Sequence, residues 1–232
     1  CSGIENITNR NNNEMILIDR VANEDEYEEP TKKANIRQIE FCKMPDNIFF
    51  VGTLPKIVDL VKKHKTTIGH IAGGGTGIST GKADQFLKHK SEVQSNPNWV
   101  GFFKSGKRNP YYYETEDYIG RDWEKNAKLS KTFMIRNKDF FFREGITCSS
   151  VGLKFNASYM PADNLFGVNT NLFCKTRKDL FYLLGFLNSK VAYYISRQLI
   201  NRTNNISARY VKMIPYLEPD KETKIKISQI VE

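Results

Sequence analysis

Histidine is scarce in this sequence. His64, His70 and His89 are all that 232 residues contain. With the four cysteines, Cys1, Cys42, Cys148 and Cys174, they make neither a CxxC pair nor zinc-ligand spacing, so no metal site is expected. The thiols read as reduced and partly buried, which fits a cytoplasmic protein. No apolar run approaches the roughly 18 residues of a transmembrane helix. No signal-peptide pattern is present. No Ser/His/Asp or Cys/His arrangement emerges from the spacing, so no catalytic residue is expected here. Paired carboxylates are missing too; the acidic cluster Glu24, Asp25, Glu26, Glu28 and Glu29 reads as a solvated loop. No repeat recurs at roughly 20–50 residues.

Aromatic residues and positive charge are abundant. There are 15 Phe and 11 Tyr, which argues against wholesale disorder. Net charge is +9, from 35 Lys plus Arg against 26 Asp plus Glu. The surplus lies mainly between Lys82 and Arg209, downstream of the acidic cluster, and suits a polyanionic partner met by one part of the chain. The chain opens on Cys1-Ser2-Gly3 without methionine, which reads as a piece cut from a longer polypeptide.

Hydrophobic patterning predicts an α+β fold, mostly short strands with one long C-terminal amphipathic helix. Strands are expected at 14–18 (buried), 36–41, 48–51, 99–104, 133–135, 139–142, 146–153, 172–174 and 210–214, with a turn at Met44-Pro45-Asp46-Asn47. Helices are expected over 54–63 and in the tail from Lys221 to Val231. Leu180, Leu183, Leu184, Leu187, Val191, Tyr194 and Ile195 recur at spacings of three and four. They define a helix over 177–200, with Gly185 a candidate kink and Asn188-Ser189 a candidate break.

The glycine run Gly73-Gly74-Gly75 leads into Gly77-Ile-Ser-Thr-Gly-Lys-Ala-Asp-Gln-Phe86. No P-loop is present, because Gly81-Lys82 is followed by Ala83. From about residue 66 to 216 further segments follow in order: Phe102-Phe103-Lys104-Ser105-Gly106; Tyr111-Tyr112-Tyr113; Asp117-Tyr118-Ile119 with Asp122-Trp123. After these come Phe141-Phe142-Arg143-Glu144-Gly145-Ile146-Thr147-Cys148-Ser149, then Leu184-Gly185-Phe186-Leu187-Asn188-Ser189-Lys190 and Asn201-Arg202-Thr203-Asn204-Asn205. This ordered set resembles the target-recognition (specificity) domain of Type II and phage-exclusion-type N6-adenine DNA methyltransferases of restriction-modification systems. Ser105 stands where the family pattern has glycine. The resemblance implies that residues 66–232 form a DNA-reading domain and that 1–65 end a preceding domain or lead in. It implies sequence-specific binding of double-stranded DNA beside a methylase domain of the parent polypeptide. S-adenosylmethionine would belong to that catalytic domain and no cofactor to this chain. Asn109-Pro110-Tyr111-Tyr112 is only superficially similar to the family's Asn-Pro-Pro-Tyr motif: the second proline is absent and no strand leads into it.

The side chains themselves offer contacts. Lys104, Lys107 and Arg108 flank Gly106 in a cationic loop that can donate to phosphates or guanine edges. Tyr111, Tyr112 and Tyr113 can stack on bases or donate to phosphate, or alternate ones can point into a core. Thr80 and Lys82 sit among glycines, where amides and hydroxyls can bind phosphate or a tight turn can need positive φ. Thr147, Ser149, Ser150 and Lys154 can contact DNA, or the hydroxyls can pair across strands. Arg197, Arg202, Asn204, Asn205 and Arg209 surround the end of the long helix. They can meet guanine and adenine, and the arginines can simply favour the helix dipole. The rival reading is a protein-interaction or assembly module with a basic face, using the apolar stripe of 177–200. A third, an intact enzyme, would require this chain to bind S-adenosylmethionine.

Overall fold

The computed structural model describes residues 13–18, 23–28, 33–44, 47, 49, 55–93, 96–104, 109–152, 154–201 and 203–232. The N-terminal third holds β1 (Glu14–Ile18), α1 (Glu24–Glu28), β2 (Lys33–Arg37), α2 (Ile39–Cys42), α3 (Pro55–Lys63), α4 (Ile68–Ile71) and β3 (Gly73–Gly75). Next come α5 (Ala83–Phe86), β4 (Leu87–His89), α6 (Lys90–Val93), β5 (Trp99–Phe103), β6 (Tyr111–Tyr112), β7 (Asp117–Gly120) and α7 (Trp123–Leu129). The rest is β8 (Gly145–Cys148), β9 (Ala157–Met160), β10 (Leu165–Phe166), β11 (Thr170–Phe173), α8 (Arg177–Leu187), α9 (Lys190–Tyr194), α10 (Ala208–Lys212) and α11 (Lys221–Val231). The fold is α+β, as expected from the patterning.

β1 and β2 form a hairpin-like pair. A four-stranded sheet has the order β10-β5-β7-β4, and a five-stranded sheet the order β3-β11-β8-β9-β6. The central strands β8, β9 and β11 of the five-stranded sheet are buried on both faces. Ile146, Cys148, Ala157 and Leu172 pack with the helical residues Leu180, Leu183, Leu184 and Leu187. Met160 and Phe173 lie in a second cluster with Val100, Phe102, Phe103, Ile119 and Phe166 of the smaller sheet. Side chains alternate along a strand, so one sheet serves both cores. Phe41, Met44, Val58 and Val61 join the helical cluster. Each such large apolar side chain contributes on the order of 1.5–3 kcal/mol when fully buried.

The helices begin where side chains satisfy free amides. Thr176 accepts from Asp179 N at 3.1 Å, Ser189 from Ala192 N at 3.1 Å, and Asp220 from Thr223 N at 2.8 Å. The long helix breaks at Asn188-Ser189 and not at Gly185. A Cβ on Gly185 would lie 3.0 Å from Val231, so glycine there lets α11 pack closely on α8. Asn188 bridges the break to the sheet: its Oδ1 accepts from Ala157 N at 3.0 Å, and its Nδ2 donates to Ala157 O at 2.8 Å. After α9 the chain widens into a π-helical turn, Ile195–Ile200, with Asn201 N donating to Ser196 O at 2.9 Å.

Several expected elements differ. The run 210–214 lies in α10 and its end, because Val211 and Ile214 are buried three residues apart while Tyr210 is exposed. Residues 38–41, expected as strand, turn into α2. Lys138–Phe140 is a 3-10 turn, and of 133–135 only Met134 bridges, to Ser79. The strand from 146 stops at Cys148. β1 is half exposed, with Ile16 60% accessible, and not a buried strand. Of the strand expected at 48–51 only Phe49 is described; it is exposed and in no strand, its ring stacked on that of Phe41 at 4.5 Å, while the rest of the run and the turn residues Pro45 and Asp46 lie outside the described residues. Among the described residues no helix is long and apolar enough to cross a membrane.

Two outcomes are expected. Asn188→Ala leaves the Ala157 amide unpaired and should lower unfolding free energy by about 2 kcal/mol in denaturant titration. Glu40 is held at about 2 by hydrogen bonds from Lys43 and Lys62, below its ordinary 4.5. A depressed carboxyl stabilises the fold above its unfolded value and loses that effect as pH falls. The stability gap between the protein and Glu40→Gln should therefore be full above about pH 4.5 and close towards pH 2.

Candidate nucleic-acid interface

One end of the two sheets is built from polar residues. Gly75, Asn171, Thr147, Ser158 and Tyr111 are register neighbours across the five-stranded sheet. Asn171, Thr147 and Ser158 in this row are fully buried. The Asn171 amide donates to Gly75 O at 3.1 Å, Asn169 O at 2.9 Å and Gly167 O at 3.3 Å. It thereby ties β3 to the β10–β11 connection. Ser158 Oγ donates to Asn109 O at 2.7 Å and anchors the entry to β6. Ser149 Oγ accepts from Asn156 N at 2.9 Å, and Ser150 Oγ meets Asn169 Oδ1 at 3.0 Å. Thr147 Oγ1, Asn169 Nδ2, Thr170 Oγ1 and Asn171 Oδ1 are buried with no hydrogen-bond partner among the described residues. Buried polar atoms left unpaired destabilise by about 1–3 kcal/mol each. These atoms gather where the apolar interior of the sheet gives way to its polar end.

Above this row four loops converge. Lys104 follows β5 directly. Gly167 N donates to Phe103 O at 2.9 Å, and a Cβ on Gly167 would stand 2.7 Å from Lys104 O, so the 167–169 and 104 segments touch. The loop after β8 pairs with the segment after the π-turn. Val151 bridges Asn205, Gly152 N donates to Asn204 O at 2.9 Å, and Ile206 N to Ser150 O at 2.8 Å. Arg197 holds this pair from beneath. It is 5% exposed and donates to Thr203 O at 2.6 Å and to Gly152 O. Burial draws its pKa below the usual guanidinium value. The wide π-turn places Ser196 and Arg197 inward together, a local geometry often found at functional sites. Arg197 is thus a structural cation under the loops and not a surface contact.

The expected contact residues distribute as follows. Lys104, Lys154 and Asn204 are exposed at this loop end. Lys107, Arg108 and Arg202 lie outside the described residues. Tyr111 and Tyr112 are exposed on edge strand β6, while Tyr113 is core, its ring centroid 5.2 Å from that of Phe103. Tyr111 has φ 68°, strained for an aromatic residue, in a tight turn closed by Tyr112 N donating to Pro110 O at 2.9 Å. Arg209 is exposed on the first turn of α10, just after the 203–206 segment. Residues 77–78 pair with Gly167 and Phe166 in reverse order, so 79–82 lead away from the loop end. Lys82 is exposed there beside the 130–137 segment, and Thr80 is buried. Gly81 has the positive φ that a tight turn needs, 68°. Two valines went unmarked in the sequence: Val151, 73% exposed, and Val168, 49% exposed. Neither composition nor periodicity separates an exposed β-branched residue from one in a strand.

The glycine run does not make a cofactor loop. Gly73–Gly75 is a strand paired with β11, and a Cβ on Gly74 would stand 2.5 Å from Asn171 O. Residues 76–82 separate β3 from the four-residue α5, so the run does not open directly into a helix as the glycine loops of Rossmann-type cofactor sites do. Burial pushes the Cys148 thiol up to about 12, so it is not a nucleophile. Among the described residues no three His, Cys, Asp or Glu side chains gather as for a metal.

No protein-family model matches the chain. The chain is 27% identical over 198 residues to a protein of Escherichia coli O9:H4 (strain HS) named adenine-specific methyltransferase BrxX. That match takes in 79% of this chain and 16% of the relative's length. The chain is thus similar to part of a protein named as a methyltransferase, and spans about a sixth of its length.

Arg197→Met removes both guanidinium bonds while keeping much of the side-chain volume. Hydrogen exchange should quicken at Gly152 and Ile206 and stay unchanged at Ile119 in the smaller sheet. The stability loss should be about 1–3 kcal/mol, from the two carbonyls left without a donor.

Proposed function

We propose that this chain is the DNA target-recognition part of an adenine-specific methyltransferase of a restriction-modification-type system. The observation that carries the reading is the convergence of Lys104, Lys154 and Asn204 from separate loops at one end of the two sheets, over a rigid buried polar row. Lysines there suit phosphates, which position a duplex, and the asparagine amide suits a base edge, which specifies it. Exposed Tyr111 and Tyr112 extend the same side along the sheet edge. The net charge of +9 and the likeness to a methyltransferase support it. The methyl donor, S-adenosylmethionine, and the transfer step belong in this reading to a separate methylase domain, to which the recognition part delivers its adenine. A cytoplasmic setting follows from that partner.

The rival assembly-module reading uses the apolar stripe of 177–200, of which Leu180, Leu183, Leu184 and Leu187 are fully buried against the sheet while Val191 is 36% exposed.

The test is binding of the full-length protein to duplex DNA across a salt series. Log affinity should fall linearly with log salt, and Lys104→Ala and Lys154→Ala should each lower the slope by roughly one while weakening all sequences alike. Asn204→Ala should instead relax preference for one sequence over another. Affinity indifferent to salt would overturn the proposal.

A further inference from the structure

The bridge between Val151 and Asn205 joins the two loops that Arg197 holds from below. Residues paired in this way carry their side chains on one face, about 5 Å apart. Val151 is 73% exposed, so its apolar side chain packs little within the fold. Its β-branch restricts it to few rotamers, so it is presented stiffly. Asn205 is exposed as well, and no hydrogen bond among the described residues engages its side-chain amide; only its backbone is used, the carbonyl accepting from Asn201 Nδ2 at 2.9 Å. A fixed methyl-bearing group beside a free amide is a specific chemical pattern. In the major groove an A·T pair presents an acceptor and a donor on adenine, next to the thymine C5-methyl. No other base pair sets that bidentate edge beside a methyl group.

We infer that Val151 and Asn205 together read one A·T base pair, Asn205 through the adenine N6 and N7 edge and Val151 through the thymine methyl. This rests on the DNA-reading role proposed above. Lys154, three residues after Val151, lies on the same loop and can anchor a neighbouring phosphate. Both reading residues are solvent-facing, and among the described residues the guanidinium that holds their loops bonds to backbone carbonyls, so either can be replaced without loss of the scaffold.

The experiment selects duplexes from a random pool with the full-length protein, then measures affinity on the enriched site with single-atom changes. Replacing one particular thymine by uracil should weaken binding about fourfold, the effect of one methyl removed from an apolar contact. Val151→Ala should lose a similar factor on thymine DNA and nothing more on uracil DNA. Asn205→Ala should lose roughly tenfold and become insensitive to 7-deazaadenine at the paired adenine. Thermal melts of both variants should match the parent protein. The inference is overturned if uracil replacement at every thymine leaves affinity unchanged, or if the two variants lose contact with different base pairs. A pool with no enriched duplex would instead overturn the DNA-reading role itself.

Discussion

Burial of the central strands of the five-stranded sheet on both faces is the constraint from which the rest of the molecule follows. β8 and β11 are buried at every position, and β9 nearly so. One face must meet the leucine stripe of α8, the other the aromatic cluster under the smaller sheet. Where the aromatic rings cross the backbone there is no room for a side chain: a Cβ on Gly145 would stand 2.7 Å from the Phe173 ring, and one on Gly73 2.7 Å from that of Phe140. The glycines are therefore packing devices before they are anything else. Toward the loop end the same strands change from apolar to Asn, Ser and Thr, so hydrogen bonding takes over from apolar contact as the cohesive force.

That arrangement explains what the sequence made legible. Helices stood out: α3 from its apolar residues, its early proline and its terminal lysines, the α8 stripe with its break at Asn188-Ser189 from its period of three to four, and the tail helix from its charge. Doubly buried strands have no alternation to read. Thr147, expected to contact DNA or to pair across strands, is interior. β7, β9 and β10 gave too short a pattern to register. The run at 210–214, rich in Tyr, Val, Met and Ile, satisfied strand propensity, and tertiary burial of Val211 and Ile214 overrode it.

The candidate site was legible in part and for a different reason. Lys104, Lys154 and Asn204 were visible because charge and amide chemistry need no three-dimensional context to be recognised. Their neighbourhood was not visible, because it depends on contacts such as Ser150 with Asn169 and Ser158 with Asn109, separated by 19 and 49 residues. Arg197 was the hardest to place. As a residue type it belongs on a surface, and only the π-turn directs it inward to two backbone carbonyls. Thr80 and Lys82 stand at the far end of the strand run that begins at Gly77, so the glycine-rich segment contributes architecture at one end and a cationic surface at the other.

The segment between β5 and β6 is fastened by main-chain atoms. Phe103 O receives Gly167 N on one side, and Asn109 O receives Ser158 Oγ on the other. The chain thus leaves the four-stranded sheet pinned beside β10 and joins the five-stranded sheet pinned to β9, a stitch that sews the two sheets together at their loop end.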